Sequence, residues 1–272
     1  MRYKLIACDF DNTIYDGNKV TPRVLKAISD YRKAGGKFVM ATGRVFPSIL
    51  KKLPMIGADD EVIACQGSAI YLASTGEVIL RYALSPEIAL KAVRFLESKG
   101  EVCHAYADQA FYSARKNPLS EMYADYCDFR PTYVDRPLSE YLPLMPFTNK
   151  VIGIIDSGVI LDRMEELRAH LEGKAEVTKS SDIFLEVTAS EAGKGSCLLA
   201  LADRLGIPRE ETVAVGDNLN DLSMIVAAGL GAAVGNGVQG LKEKADLILP
   251  SIEEDGVAVL IERILDNDIT LP

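Results

Sequence analysis

Residues 7–13 of the 272-residue chain read Ala-Cys-Asp-Phe-Asp-Asn-Thr, and they follow the start of a short apolar run at residues 5–8. The apolar run predicts a buried β-strand that ends where Asp9 and Asp11 begin. Residues i and i+2 at a strand end point to the same side, so both carboxylates can face one ligand. Because a solvated turn needs only one such residue, the pair indicates a functional site.

Short apolar runs rich in Val and Ile alternate with helical patterns near both ends of the chain. The strand-like runs are residues 5–10, 37–43, 61–67, 212–217, 231–235 and 245–250, and the helical patterns are residues 21–35, 194–206, 221–229 and 238–245. Continuous apolar strands that alternate with helices predict a parallel sheet covered on both faces. We therefore predict an α/β fold with a doubly wound, mainly parallel, Rossmann-like core formed by residues 1–82 and 189–272.

The segment between these two parts, residues 83–188, has a different composition. Tyrosine is concentrated there, and prolines occur at positions 86, 118, 131, 137, 143 and 146. Five strand-like runs are accompanied by only two convincing helical patterns. This arrangement predicts an α+β domain inserted into the core.

Charge and cysteine content limit the classes of partner. The formal net charge is −9, and Lys and Arg form no cluster, which argues against a nucleic-acid or anionic-membrane partner. The five cysteines are scattered without a C-x-x-C pair, as in a reduced intracellular protein. The longest charge-free apolar stretch, residues 224–235, is shorter than a membrane span requires. We predict a cytoplasmic protein, either a monomer or a homodimer.

Ligands of an open α/β sheet bind beyond the carboxyl ends of its strands, so polar residues there are candidates for a site. They are Asp9 and Asp11, then Thr42-Gly43-Arg44, then Lys194 at a helix start, and finally Asp217-Asn218-Leu219-Asn220-Asp221. Each group alone has an ordinary explanation as a turn, a cap or a solvated side chain. Four aspartates that lie side by side cannot all ionise unless cations balance their charge. Mg²⁺ and the ammonium of Lys194 would supply that positive charge.

In their order along the chain these segments resemble the four motifs of the haloacid dehalogenase superfamily. The insertion between the second and third motifs is similar to the large α+β cap of its Cof-type phosphatase branch, and residues 235–256 also resemble that branch. The resemblance implies a phosphoric monoester hydrolase that uses Mg²⁺ and acts on small phosphorylated metabolites, such as sugar phosphates or cofactor phosphates.

The resemblance also implies a role for each matching residue. Asp9 would be the nucleophile that forms an aspartyl phosphate, and Asp11 would protonate the leaving alcohol and then activate water. Thr42 and Lys194 would hold the phosphoryl oxygens. The implied substrate-binding set is Thr42, Gly43, Arg44, Lys194 and Asn220, and the implied metal set is Asp9, the main-chain carbonyl of Asp11, Asp217 and Asp221.

Two positions depart from the family pattern. Asn12 replaces the usual glycine, a mild change because Asn tolerates left-handed backbone. Gln66 stands where the branch usually has Asn, so its contacts near the site are open. Three residues of the insertion, His104, Tyr106 and Asp182, could line the cleft, although the first two could equally be ordinary strand residues.

Other functions remain as alternatives. A phosphomutase of the same superfamily would use the same residues, and a receiver-like signalling protein would hold the phosphate on the aspartate. Gly235-Asn236-Gly237-Val238-Gln239-Gly240 matches the dinucleotide-binding pattern G-x-G-x-x-G. Only 32 residues follow it, too few for the rest of a nucleotide-binding half, so a nicotinamide oxidoreductase is disfavoured.

Overall fold

The computed structural model of the protein describes residues 1–269, which form two β-sheets and the helices around them. The strands are β1 Leu5–Cys8, β2 Lys37–Ala41, β3 Glu61–Ala64, β4 Ala69–Leu72, β5 Val78–Arg81, β6 Val102–Ala107, β7 Ala110–Ser113, β8 Thr132–Tyr133, β9 Lys150–Ile154, β10 Glu176–Lys179, β11 Phe184–Thr188, β12 Thr212–Gly216, β13 Leu230–Ala233 and β14 Leu247–Ile248. The α-helices are α1 Pro22–Lys33, α2 Phe46–Leu50, α3 Leu53–Ile56, α4 Pro86–Ser98, α5 Pro118–Cys127, α6 Leu138–Tyr141, α7 Ile160–Leu171, α8 Lys194–Arg204, α9 Leu222–Ala227, α10 Gln239–Lys242 and α11 Gly256–Leu265.

The larger sheet has eight strands in the order β14-β13-β12-β1-β2-β3-β4-β5. The strands from β14 to β3 are parallel, whereas β4 and β5 continue the sheet antiparallel. The predicted mainly parallel sheet is therefore confirmed. The β4–β5 hairpin was not predicted from the sequence.

Helices cover both faces of this sheet, as predicted for a doubly wound core. Side chains of β1 alternate between the faces: Ile6 and Cys8 belong to one apolar cluster with α1 and α11. Leu5 and Ala7 belong to another with α8, α9 and α10. Because both faces of β1 are buried, its sequence is apolar throughout and its end is fixed at the centre of the sheet.

The smaller sheet has six strands in the order β10-β11-β9-β6-β7-β8, and all of them fall within residues 102–188. Its strands pair antiparallel except β7 with β8. One face packs on α4 and α7. We refer to residues 83–188, the predicted insertion, as the cap.

The expectation of two helices in the cap was wrong, because three helices of ten or more residues lie there, α4, α5 and α7. Helix α5 begins with Pro118 at its first turn behind the capping residue Asn117. Proline is favoured at that position, since the missing N–H has no partner inside the helix. The prolines that suggested irregular structure therefore include helix starts.

The second face of the cap sheet lies on the core. Aromatic residues of the cap, Tyr106 and Phe184 among them, share one apolar cluster with Phe46 and Tyr71 of the core. Arg81 of β5 also pairs with Asp108 of the cap. This contact closes the cap over the carboxyl ends of the core strands.

Among the helices of residues 1–269, none is long and apolar enough to cross a membrane.

Candidate active site

The two aspartates after β1 line one cavity but bind different partners. Asp9 is buried, and its Oδ1 accepts a 2.6 Å hydrogen bond from Lys194 Nζ. Both carboxylate oxygens of Asp11 accept from the Arg44 guanidinium, at 2.8 and 2.7 Å. The next residue, Asn12, has a left-handed backbone with φ of 59°, a conformation that Asn tolerates. The Asp9 carboxylate thus lies at the bottom of the cavity, and the Asp11 carboxylate lies against the loop that follows β2.

Lys194, the first residue of α8, joins two of the aspartates. Its ammonium is completely buried and donates to Asp9 Oδ1 and to Asp221 Oδ1, each at 2.6 Å. Burial alone would lower the pKa of Lys194, but the charges of Asp221 and Asp9 outweigh it and hold the pKa above its ordinary value. Lys194 is therefore a fixed positive charge under Asp9.

Three carboxylates meet at this point. Oxygens of Asp9, Asp217 and Asp221 lie within 4.8 Å of one another. The Thr13 hydroxyl lies 3.3 Å from both Asp9 Oδ2 and Asp217 Oδ1. Asp221 is held by the main-chain N–H groups of Asp217 and Asn218, at 3.0 and 3.2 Å. The side chain of Asp11 is outside this cluster, which leaves its main-chain carbonyl for the predicted role.

The electrostatics of the cluster fit a divalent cation. Burial raises the pKa of Asp9 well above its ordinary value, and the charges of Asp221 and Asp217 add to that shift. Burial, with repulsion from Asp221, also raises the pKa of Asp217 to about 7. One lysine is too little positive charge for three adjacent carboxylates, whereas a hard cation with oxygen ligands would balance them.

The raised pKa of Asp217 predicts a pH dependence of stability in the metal-free protein. The carboxyl has an ordinary value of 3.8 in the unfolded chain and about 7 in the folded one. The folded state therefore keeps a proton that the unfolded chain has lost, and this stabilisation disappears as the pH rises through about 7. We expect a lower melting temperature at about pH 8 than at about pH 6, and we expect Mg²⁺ to remove the difference.

The matched control is Asp217→Asn, which carries no titratable proton at this position. Melting curves of both proteins at both pH values, with and without a chelator, isolate the contribution of Asp217. An identical pH dependence in the wild type and the variant would contradict this interpretation.

The loop after β2 forms a second side of the cavity. Thr42 is buried, and its hydroxyl accepts from the Arg44 N–H at 3.0 Å. A side chain at Gly43 would meet the Gln66 amide, since a Cβ there would lie 2.5 Å from Gln66 Nε2. A side chain at position 43 would therefore displace the Gln66 amide.

The cavity also contains residues that the sequence analysis missed. Tyr126 and Phe184 of the cap give it an aromatic wall, and Lys150 and Glu186 lie beside them. The available signal was a charged residue inside an apolar strand: Lys150 begins β9, and Glu186 is central in β11. Gln66 links the core to the cap: its side chain accepts a hydrogen bond from Asn220 of the core and donates one to Glu186 of the cap, both at 3.1 Å.

The three cap residues considered as cleft residues lie elsewhere. His104 and Tyr106 are buried in the aromatic cluster beneath the cap sheet. Asp182 lies on the turn between β10 and β11, where it pairs with Lys179. Arg44, which the resemblance assigns to substrate binding, does line the cavity.

The glycines of the dinucleotide-like pattern serve packing. A Cβ at Gly235 would lie 2.8 Å from the Ser251 nitrogen, and one at Gly237 would lie 2.9 Å from the Val234 carbonyl oxygen. The pattern follows β13, and its last two residues lie in the four-residue helix α10. Close contact between chain segments explains these glycines.

Known proteins resemble this chain over nearly its whole length. The family of haloacid dehalogenase-like hydrolases matches residues 6–261. A putative phosphatase of Bacillus subtilis is 30% identical over 97% of this chain and 98% of its own. A 5-amino-6-(5-phospho-D-ribitylamino)uracil phosphatase of the same organism is 28% identical over 96% of this chain and 95% of its own.

Solved structures show the same fold. A haloacid dehalogenase-like hydrolase from Bacteroides thetaiotaomicron superposes with a TM-score of 0.84 at 26% identity, over 96% of this chain and 99% of its own. The predicted enzyme class, a phosphoric monoester hydrolase, is thereby confirmed at the level of the family. The chain belongs to the haloacid dehalogenase superfamily of hydrolases, in the Cof-type branch that its motifs indicate.

Proposed function

We propose that the protein is a Mg²⁺-dependent phosphatase that hydrolyses esters of small phosphorylated metabolites through an aspartyl phosphate on Asp9. The observation that carries this proposal is the position of Asp9. Its carboxylate lies at the floor of the cavity, fixed by Lys194 and next to Asp217 and Asp221. A carboxylate held in this way can attack a phosphorus atom that enters the cavity.

The reaction divides into two displacements. In the first, an oxygen of Asp9 forms a bond to phosphorus while the bond to the leaving oxygen breaks, and Asp11 gives that oxygen its proton. In the second, Asp11 takes a proton from water, the water oxygen bonds to phosphorus, and the Asp9 carboxylate is released with inorganic phosphate. Arg44 orients Asp11 at the cavity edge through two hydrogen bonds.

The carboxylates of Asp9, Asp217 and Asp221, with the main-chain carbonyl of Asp11, are the groups that would hold Mg²⁺. The ion would supply positive charge that lowers the repulsion between an anionic nucleophile and an anionic phosphate. Asp221 would also keep Lys194 in place, since it accepts from its ammonium.

The phosphoryl oxygens would be bound by Thr42, Lys194 and the main-chain N–H group of Gly43, with Asn220 nearby. Thr42, Gly43, Arg44 and Asn220 all line the cavity. Donors held rigidly around a group whose charge moves during the reaction stabilise the transition state. The fixed ammonium of Lys194 is suited to this role because it is already placed before the substrate binds.

The cap supplies the contacts to the alcohol part of the substrate. We assign sugar phosphates or cofactor phosphates as the substrate class. Two observations support the assignment: cap residues close the cavity above Asp9, and the ribitylaminouracil phosphatase is similar over nearly the whole chain. Release of inorganic phosphate from a panel of sugar and cofactor phosphates with Mg²⁺ tests it directly.

The same experiment separates the alternatives. A phosphomutase would return an isomeric phosphate ester rather than free phosphate. A receiver-like protein would give one equivalent of phosphorylated protein and no turnover. Steady release of phosphate over many turnovers supports the phosphatase, and its absence with every ester would refute the proposal.

Asp11→Asn is expected to lower kcat/KM by about 100-fold or more for an alkyl ester such as glycerol phosphate, and by less than about 10-fold for p-nitrophenyl phosphate. The variant cannot donate a proton, and a nitrophenolate leaves without one. In a two-step reaction kcat/KM reports the first displacement, so the difference isolates leaving-group protonation.

The exposed Asp203 of α8 provides a matched control, Asp203→Asn, which should behave like the wild type with both esters. An equal loss with both esters in the Asp11 variant would rule out the proton-donor role.

A further inference from the structure

The cap places an ion pair inside the cavity. Lys150 of β9 and Glu186 of β11 lie on the face of the cap sheet that turns toward the core, and their side chains are 1% and 4% exposed. The ammonium nitrogen and the carboxylate oxygen Oε2 are 2.6 Å apart. Both residues line the cavity above the aspartates. The pair is thus part of the wall that a bound alcohol group would contact.

Core residues hold both members of this pair. Lys150 Nζ also donates to the carbonyl oxygen of Gly43 at 3.1 Å, and it lies 4.8 Å from the centre of the Tyr106 ring. The second oxygen of Glu186 accepts from Gln66 Nε2 at 3.1 Å. Because these bonds fix the pair, Lys150 is not free to turn toward an additional anion.

The second cation of the cavity is engaged in the same way. Arg44 forms two hydrogen bonds to Asp11, at 2.8 and 2.7 Å. Among the described residues that line the cavity, Lys150 and Arg44 are the only cationic side chains, and four carboxylates accompany them: Asp9, Asp11, Glu186 and Asp217. Every cationic side chain in the lining is therefore already paired with a carboxylate.

An anionic group on the leaving alcohol would be placed at a heavy cost in such a cavity. It would lose its water, would find no unpaired cation within the lining, and would face the carboxylate of Glu186. Uncharged hydroxyl groups would fare differently, since Glu186 and Gln66 offer acceptors and a donor. Tyr126 and Phe184 add ring faces for the apolar side of a carbon chain or ring.

We propose, as a refinement that rests on the proposed phosphatase function, that the cavity selects phosphate esters whose alcohol part is uncharged, and that the Lys150–Glu186 pair enforces this selection. The preferred substrates are phosphates of polyols, sugars or neutral ring compounds. Phosphorylated carboxylic acids and bisphosphates are rejected.

The test uses substrate pairs that differ in one charge. Glycerol 1-phosphate and 3-phosphoglycerate share a three-carbon skeleton, as glucose 6-phosphate and 6-phosphogluconate share a six-carbon one. We expect kcat/KM to be at least about 30-fold lower for the acid of each pair, since an unpaired like charge in an interface costs several kcal/mol. Equal values, or a preference for the acids, would overturn the inference.

Variants of the ion pair should shift the selectivity in opposite directions. Glu186→Gln leaves Lys150 without a carboxylate partner, so the ratio of kcat/KM for acid over neutral ester should rise. Lys150→Met leaves Glu186 without its cation, so the same ratio should fall further. A purely structural role would lower activity with both esters equally and leave the ratio unchanged, which would refute the assignment of these residues.

The matched control removes a charge from another ion pair of the cap. Glu101 pairs with Arg163 at 3.2 Å outside the cavity, and Glu101→Gln should leave both kcat/KM and the ratio unchanged. The wild-type comparison decides the substrate class even where a variant fails to fold. Absence of turnover with every ester, p-nitrophenyl phosphate included, would refute the phosphatase function itself, whereas turnover without discrimination would refute only the present inference.

Discussion

Asp9→Asn is expected to lower kcat by at least about 1,000-fold while the protein keeps its fold. The carboxamide has nearly the same shape as the carboxylate but cannot act as the nucleophile, so the first displacement has no starting group. Thr42, Lys194 and the proposed metal ligands Asp217 and Asp221 would remain, and the variant should therefore still bind phosphate esters.

The Asp9→Asn variant should lose activity without losing thermal stability. Asp9 is one of three carboxylates within 4.8 Å of one another, and its burial together with the charges of the other two raises its pKa. Replacing it by a neutral amide removes like-charge repulsion, while Lys194 keeps its bond to Asp221. We expect the melting temperature of the metal-free variant to equal or exceed that of the wild type.

Two measurements check this prediction: kcat with p-nitrophenyl phosphate and Mg²⁺, and thermal melting in the presence of a chelator. The exposed Asp203→Asn serves as control for both. A variant at position 9 that keeps wild-type turnover would eliminate Asp9 as the nucleophile. A variant that is inactive and also unfolded would show that the residue is needed for the fold.

Removal of Mg²⁺ by exhaustive chelation should abolish turnover, and addition of Mg²⁺ should restore it. The reason is the charge at the floor of the cavity, where Asp9, Asp217 and Asp221 face one fixed cation, Lys194. Without a further cation, the dianionic phosphate would approach three carboxylates, and burial together with the charge of Asp221 already raises the pKa of Asp9 and of Asp217.

Ca²⁺ should occupy the site but fail to support turnover. Mg²⁺ prefers six ligands in a near-octahedral arrangement and would take one oxygen of Asp9, which leaves the other for attack. Ca²⁺ is larger, accepts six to eight oxygens and readily binds a carboxylate through both, which would occupy the nucleophile.

Initial rates across a titration of Ca²⁺ against Mg²⁺ test this expectation. Competition between the two ions, with little change in KM for the ester, supports it. Comparable activity with Ca²⁺ alone would mean that the ion only neutralises charge, and full activity after chelation would exclude a metal from the reaction.

Local residue patterns were enough to predict the core and its chemistry. The apolar residues 5–8 are buried on both faces of the sheet, so their strand could be identified from hydrophobicity alone. The residues that end β1, β2 and β12, and the one that begins α8, meet at one edge because parallel strands align their carboxyl ends there. For this reason Asp9, Lys194 and the aspartates after β12 could be predicted to share a site before their distances were known.

The tertiary structure decided which partners these residues have. The sequence indicated that the Asp9 and Asp11 carboxylates could face one ligand together, but in the structure Asp11 binds Arg44 and Asp9 binds Lys194. No spacing rule predicts a contact between residues 33 positions apart, since it depends on how two loops are positioned by their strands. The β4–β5 hairpin and the third of the longer cap helices were also not predicted from the sequence.

The cap wall of the cavity shows the same limit most clearly. In the sequence, Lys150 and Glu186 are single charged residues within apolar runs. Only the antiparallel pairing of β9 with β11 brings them onto the same face of the cap sheet. Their contacts with Gly43 and Gln66 arise because the folded cap rests on the core. The sequence by itself therefore determined the family, the sheet and the candidate aspartates of the site, since these follow from local pattern and strand order. The tertiary structure decided the charge balance around the alcohol group, because that balance depends on side chains from two separately folded sheets meeting across one cavity.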